Sequence, residues 1–430
     1  MSRLPKAFRK RSVRERNRLL GELLELSHDE RAALASGHGL LDLADVMVES
    51  AVGFMPLPLG VAAGFRIDDE TYDIPMATEE PSVIAAAGFA AAVIRRAGGF
   101  CTWADEPLMT AQVFLEGVPP GGEAAIAAAE AEVAAALAPL LASMQHRGGG
   151  FRALRARRAL TGTAAAREVV CAEIVIDVRD AMGANVLNSA AETAAPILEH
   201  AAGGRRVMAI LSNAARERRA GARFRLPLSK LRRGAHGGQA LAERIVLANE
   251  IAADNAERAV THNKGIMNGI TALALATAND TRAIEAAVHA YAAREGGYRA
   301  LTEYRIENNE LVGCFSAPLA FGTVGGAVGF HPVARSALRL LGDPGSERLA
   351  RIAAALGLAQ SFAAVLALVT EGIQAGHMRL HANRLAFNAG ARGEEITRVA
   401  EQLAQTGSFN AETAGRTLQE LREAHDSSGL

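Results

Sequence analysis

The chain has 430 residues, half of them hydrophobic and 22% charged, which is the composition of a globular protein and excludes a disordered one. Single cores rarely grow beyond roughly 250–300 residues, so more than one domain is expected. A formal net charge of −1 supplies no global basic field and argues against nucleic acid as a partner.

Cys101, Cys171 and Cys314 are isolated in the sequence and share no metal-ligand spacing. That favours a reducing cytoplasm over a disulfide framework. Eight of the first 18 residues are basic against one acid, Glu15; no apolar region follows them, so they do not read as a secretory signal. No uncharged apolar run of the roughly 18 residues a spanning helix needs is expected, and with it no membrane association.

In chain order, residues 13–50 read as helices, with "RERNRLLGELLELS" at helical spacing and Ser27-His28-Asp29-Glu30 as a start signal. "IDDETYDIPMATEEPSVIAAAGFAAAVIRRAGG" follows the order hairpin, strand, helix. Pro81 suits the first helical position and Gly98-Gly99 the helix end, which puts Glu80 at a helix N-terminus. "MTAQVFLEGV" alternates like a strand, 122–143 reads as one Ala-rich helix, and 147–158 ("RGGGFRALRARR") as a solvated loop. "EVVCAEIVIDVRDAMGANVLNSAAETAAPILEHA" is a strand then a helix, and "RRVMAILSN" a further strand. Two β-α-β passages over about 100 residues suggest an α+β sandwich inserted into a larger domain. The segments 240–298 and 333–390 read as helical, joined by "VGCFSAPLAFGTVGGAVGFHP", and the last 40 residues as a charged amphipathic unit.

Taken one at a time, the polar residues of interest have ordinary readings. Glu80 before a proline is a helix-start charge. Lys264 in "THNKGIMNGI" is either a surface charge or an electrophile held against a carboxylate, and Asp280 in "NDTRAIEA" is accounted for as an N-cap. His377 and His381 in "GHMRLH" have i, i+4 spacing, but no acid follows the first and no third ligand is evident, so no metal is expected. "DVRDAMGANVLN" runs a strand into Asp180 and then opens a helix. Backbone N–H groups at such a start suit a phosphate or ribose. The chain contains no G-x-G-x-x-G, so a dinucleotide site there is non-Rossmann.

Together these segments are specific. With "RLPKAFRK", "IPMATEEPSVIAAA", "VIDVRDAMGANVLN", "ILSN", "THNKGIMNGI", "ANDTRAIEA", "GTVGGAVGFHP", "GLAQSFAAVLAL" and "TEGIQAGHMRLHANRLA" in this order, the chain resembles class II hydroxymethylglutaryl-CoA reductases over essentially its full length. The resemblance implies interconversion of hydroxymethylglutaryl-CoA with mevalonate and CoA, using NAD(H) or NADP(H), in a homodimer with its active site at the interface. It implies a helix-rich α/β domain for CoA and substrate (1–107 and 216–371), an inserted ferredoxin-like α+β dinucleotide domain (108–215) and a C-terminal helical flap (372–430). Glu80, Lys264, Asp280 and His377 match the family's catalytic residues. Ser82, Arg258, Asn268 and His381 match residues holding the substrate's carboxylate and hydroxyl, and Arg9 matches a CoA phosphate contact. Asp180, Met182, Gly183, Asn185 and Asn213 match the dinucleotide site.

Three positions depart from the family pattern. "ESAVG" carries Ser50, and "GLAQS" carries Ser361, where asparagine is familiar. The stretch "LAPLLASMQHRGGG" leading into Gly148 holds no acid for an adenosine ribose, so the usual carboxylate argument for NAD fails; Arg147 or Arg152 is available to a 2′-phosphate. A CoA-thioester enzyme without redox chemistry, or a non-catalytic CoA-binding protein on the same scaffold, is the alternative.

Overall fold

The computed structural model describes residues 4–5, 8, 11–36, 41–161, 167–372 and 382–427. Arg9, His377 and His381 lie outside the described residues.

The N-terminal helices are α1 (Val13–Leu23), α2 (His28–Ser36) and α3 (Leu41–Met47). α1 starts in a capping box between Ser12 and Glu15, and Ser27 and Glu30 exchange the same pair of bonds ahead of α2. Strands β1 (Leu59–Ile67) and β2 (Glu70–Ala77) form an antiparallel hairpin. Its turn residues Asp68 and Asp69 both have positive φ, a conformation that aspartate tolerates. Helix α4 (Val83–Arg95) then packs on β1, and β3 (Phe100–Ala104) returns to the same sheet.

Next come β4 (Leu108–Glu116), α5 (Gly122–Ala128), α6 (Glu130–Gln145), β5 (Gly150–Thr161), β6 (Arg167–Asp177), α7 (Ala184–Ala202) and β7 (Arg205–Ser212). The strands form a separate four-stranded sheet in the order β5-β6-β4-β7, with every pair antiparallel. Split β-α-β units in this order are ferredoxin-like. Met109, Ala111, Val113 and Leu115 alternate inward along β4 onto a core shared with Leu137, Leu141, Leu187 and Leu198.

Two local expectations fail in this unit. The basic run 147–158 is not a solvated loop; most of it is strand β5. Its arginines are neutralised across the fold, Arg152 by Asp177, Arg155 by Glu217, and Arg158 by Glu123 and Glu168, so an edge strand carries them without repulsion. The single helix read over 122–143 is two, bent by 50° at the break between them.

The chain then re-enters the first sheet through β8 (Arg219–Pro227) and a two-residue hairpin of β9 (Arg232–Arg233) and β10 (His236–Gly237). It continues as α8 (Gly238–Asp254), α9 (Ala256–Ala276), α10 (Thr281–Ala292), β11 (Thr302–Glu307), β12 (Glu310–Pro318), α11 (Pro332–Leu340) and α12 (Ser346–Leu368). The sheet order is β11-β12-β8-β3-β1-β2, antiparallel except for the parallel β1/β3 pair. Strand β11 was not expected, although its turn, Asn308-Asn309, has both residues at positive φ and is a hairpin signal.

Helix α12 overturns the expectation that no long uncharged apolar run exists, because residues 352–370 carry no charge. The helix is long and apolar enough to cross a membrane, yet it is buried in the core of this protein. A Cβ at Gly357 would come within 2.8 Å of Ile270, and one at Gly269 within 3.2 Å of Leu356. These two glycines let α9 and α12 pack closely, which fixes the height of α9 over the sheet. At the end of the chain, α13 (382–388), α14 (Glu394–Thr406) and α15 (Ala411–Ser427) gather a small core of their own around Ala386, Val399, Leu403 and Leu418.

Candidate active site

Strand β2 ends at Ala77, and the Glu80 N–H donates to Thr78 Oγ1 (3.2 Å) in the turn that follows. Pro81 was expected as the first helical residue; instead 81–82 are turn and α4 begins at Val83. The cause is Ser82, which is left-handed (φ 79°) and cannot be a helix interior residue there. Its hydroxyl is buried without a hydrogen-bond partner among the described residues. Orphaned buried hydroxyls are rare and costly.

Across the turn stands α9, capped by Asn255, whose Oδ1 accepts the Arg258 N–H (2.8 Å). Helical spacing sorts its residues: His262, Asn263, Ile266 and Ile270 are buried, while Lys264, Asn268, Thr271 and Leu275 face a cleft of about 170 Å³ shared with residues 77–80. Lys264 Nζ donates to Glu80 Oε2 at 2.7 Å, with the lysine side chain 59% exposed and the glutamate 34%. The cleft is closed by two residues of α10 that sequence reasoning missed, Glu285 and His289. Glu285 accepts from Thr271 Oγ1 (2.6 Å), and His289 pairs with Glu285 (3.0 Å) and Tyr298 (2.6 Å). Their i, i+4 spacing inside "ANDTRAIEAAVHA" was the available signal. Arg258 is half-buried and makes no ion pair among the described residues; burial lowers its pKa. A guanidinium so placed is free to bind a carboxylate through two hydrogen bonds.

Asp280 is elsewhere. It caps α10, accepting the Ala283 N–H (3.1 Å), and lies 3.5 Å from Arg282. α9 and α10 run back along one another, Thr271 meeting Glu285, so Asp280 sits at the far end of the hairpin. About 18 Å of helix separates Lys264 from Ala276. Within one chain Glu80, Lys264 and Asn268 line one cleft and Ser82 follows two residues after Glu80, whereas among the described residues Asp280 makes no hydrogen bond or ion pair with Lys264. Arg384 of α13 reaches the Glu79 carbonyl (3.5 Å), so the first described residues after His381 lie beside the cleft.

The second cluster lies at the junction of the two sheets. β6 stops at Asp177, and Gly183, at φ 102°, is the N-cap of α7 without a side-chain cap bond. Asp180 Oδ1 accepts the Ser346 N–H (2.9 Å) at the start of α12. Met182 and Gly183 line the turn, and Asn185 is exposed on the first turn of α7. Asn188 accepts the Leu211 N–H (2.9 Å), drawing the 211–213 end of β7, with exposed Asn213, alongside. Gly148 is left-handed (φ 82°), and a Cβ at Gly149 would lie 2.7 Å from the Asp177 carbonyl. Uncapped helix N–H groups beside a glycine cradle fit a dinucleotide's phosphates. Of the two arginines expected there, Arg152 is committed to Asp177 (2.8 Å), whereas Arg147 is exposed and, among the described residues, its guanidinium donates only to Ser143 (3.0 Å). Ser361 is not at a ligand wall: it is buried between Tyr304 (3.2 Å) and His262 (3.4 Å).

The family model for Hydroxymethylglutaryl-coenzyme A reductase matches residues 12–382. The chain is 43% identical to the 3-hydroxy-3-methylglutaryl-coenzyme A reductase of Archaeoglobus fulgidus, covering 98% of this chain and 95% of that one. It is 36% identical to a probable enzyme of that name from Borreliella burgdorferi, over 89% and 86% of the two. Among solved structures, the Streptococcus pneumoniae reductase superposes with a TM-score of 0.80 at 39% identity, covering 97% and 99%. A class II structure from that organism, bound to NADPH in open conformations, gives 0.79 at 39% identity over 96% and 100%.

Proposed function

This chain belongs to the class II hydroxymethylglutaryl-CoA reductase family, and from that premise we propose that Glu80, Lys264, Asp280 and His377 are its catalytic residues. It is an oxidoreductase that interconverts 3-hydroxy-3-methylglutaryl-CoA and mevalonate plus CoA through a mevaldehyde-level intermediate. A nicotinamide dinucleotide supplies or takes up the two hydrides.

The single observation that carries the residue assignment is the Lys264–Glu80 pair, 2.7 Å apart at the mouth of a cleft also lined by Asn268. Lys264 stabilises the oxyanion that develops on the substrate carbonyl. Glu80, hydrogen-bonded to it, delivers and recovers the proton at that oxygen. Arg258, Ser82, Asn268 and His381 hold the substrate's carboxylate and hydroxyl; among the described residues the Arg258 guanidinium makes no ion pair and the buried Ser82 hydroxyl no hydrogen bond, which supports this. His377 protonates the departing thiolate, and Arg9 binds a CoA phosphate.

Asp280 enters the site from a second copy of the chain. Its distance from Lys264 within one chain supports that reading, as do the exposed Leu247, Ile251 and Val260 on α8 and α9, an apolar surface suited to a homodimer. Residues 1–107 with 216–371 form the substrate and dimerisation domain, 108–215 the dinucleotide domain, and 372–430 the flap. Asp180, Met182, Gly183, Asn185 and Asn213 hold the dinucleotide. With no acid in residues 137–150, Arg147 meets the 2′-phosphate of NADP(H). The three cysteines are unpaired, in keeping with a cytoplasmic enzyme. Absorbance at 340 nm, followed with hydroxymethylglutaryl-CoA and each nicotinamide in turn, tests the proposal; no substrate-dependent loss of absorbance with either would remove it.

A further inference from the structure

Arg218 is 5% exposed and touches no part of the cleft, yet its guanidinium serves three backbone carbonyls on two different loops. Nη1 donates to the carbonyls of Ala181 (3.1 Å) and Met182 (3.2 Å), and Nη2 to that of Phe321. Burial lowers its pKa to about 10, against the opposing charges of Asp177 and Asp180, so it is held as a cation. The two loops are joined again beside it. The Thr323 N–H donates to the Asp180 carbonyl (2.8 Å), and Ala181 bridges Val324. Gly322 has no room for a side chain, since a Cβ there would lie 2.5 Å from Met182 N.

The Gly322 N–H, in turn, donates to Asn279 Oδ1 at 2.7 Å. Asn279 is fixed from behind by Nδ2 donating to the Thr277 hydroxyl (3.0 Å) and carbonyl (3.3 Å), and it directly precedes Asp280. The bonds therefore run without a gap from the 181–183 turn, through Arg218 and the 321–323 backbone, to the residue beside Asp280.

We infer that Arg218, Gly322 and Asn279 form a positioning junction that sets the dinucleotide turn and the Asp280 cap in one register, so that damage at Asn279 is felt as weaker dinucleotide binding. This rests on the reading of residues 180–185 as the dinucleotide turn. None of the three is a catalytic residue; each acts through backbone it holds.

The test is calorimetric titration of the full-length protein with NADPH and, separately, with CoA. Asn279→Ala removes the acceptor for the Gly322 N–H and is expected to weaken NADPH binding about tenfold. Asn279→Asp keeps that acceptor but gives up the Nδ2 bonds to Thr277, so its loss should be smaller than that of Asn279→Ala, by about threefold. Asn185→Asp, which sets a carboxylate at the start of α7, tests the underlying reading and should weaken NADPH by about tenfold or more. CoA affinity should hold within about twofold in all three. If Asn279→Ala does not fold, Arg218→Lys replaces it, with the same expected loss for NADPH. Weakening by Asn185→Asp without weakening by Asn279→Ala overturns the junction and leaves the dinucleotide turn standing. No effect of Asn185→Asp overturns both. Equal losses in Asn279→Ala and Asn279→Asp, or a parallel loss of CoA affinity, also overturn the junction.

Discussion

Lys264 and Glu80 are separated by 184 residues in sequence and by 2.7 Å in space. Asp280, only 16 residues from Lys264 by its number in the chain, is held at the other end of a helical hairpin. Sequence proximity and spatial proximity are thus inverted within the proposed catalytic set.

The pair gives the first prediction. Lys264→Ala leaves Glu80 folded in place through its Thr78 contact, but removes the cation from the developing oxyanion. Turnover should fall by about 10²–10³ or more, while the melting temperature changes little, because an exposed ion pair contributes at most about 1 kcal/mol. Near-normal turnover in a folded variant would make Lys264 an ordinary surface charge.

The position of Asp280 gives the second. If each site combines Lys264 of one protomer with Asp280 of the other, unfolding and refolding a mixture of Lys264→Ala and Asp280→Asn chains should restore activity to two inactive proteins. Random pairing makes half the dimers mixed, each with one intact site, so about a quarter of wild-type activity is expected. No recovery, with mixed dimers verified by mass, would place both residues in one chain's site.

Cofactor choice gives the third. Arg147 is exposed and Arg152 is occupied by Asp177, so Arg147→Ala should raise KM for NADPH by about tenfold, the loss of one charge-assisted contact. KM for NADH should barely move. A preference of the wild-type protein for NADH above roughly a thousandfold, about 4 kcal/mol, would rule out this role.

His262 gives the fourth, on stability. It is 4% exposed, bonded to Thr302, and its pKa is pushed down to about 4 by burial and by the nearby charge of Arg258. A depressed histidine pKa means that the native state refuses a proton the unfolded chain accepts. Above pH ~6.5 neither state is protonated and nothing is lost; between about 6.5 and 4 the unfolded state gains a proton, and stability falls by up to roughly 3 kcal/mol. Denaturant melts of wild type and His262→Gln across pH 7 to 4 should differ by that amount in their pH dependence. Parallel curves would contradict it.

The fifth concerns His377. A proton for the leaving thiolate is needed only after the first reduction, so His377→Ala should slow reduction of the thioester by about 10²-fold or more. Reduction of free mevaldehyde, assayed with CoA present, should be largely retained. Equal loss on both substrates would assign His377 to closing the site instead.

Several features that depend on local spacing or on motif are legible in the sequence. The alternation of β4, the caps of α1 and α2, the apolar face of α9 and the non-Rossmann turn at 180–183 are all set by residues within a few positions of each other. The family-like motifs mark Glu80 and Lys264 as candidates from the sequence alone. Tertiary structure decided whatever depended on partners far along the chain. The arginines of 150–158 became a strand because Glu217, Glu123 and Asp177 neutralise them, and no local pattern announces those pairings. The uncharged stretch of α12 became a core helix because α9 packs against it at Gly269 and Gly357. The left-handed Ser82, the closure of the cleft by Glu285 and His289, and the separation of Asp280 from Lys264 are likewise set by how helices dock on sheets. Local sequence limits which conformations a segment can take; long-range packing and charge pairing select among them, and their energies belong to no single segment.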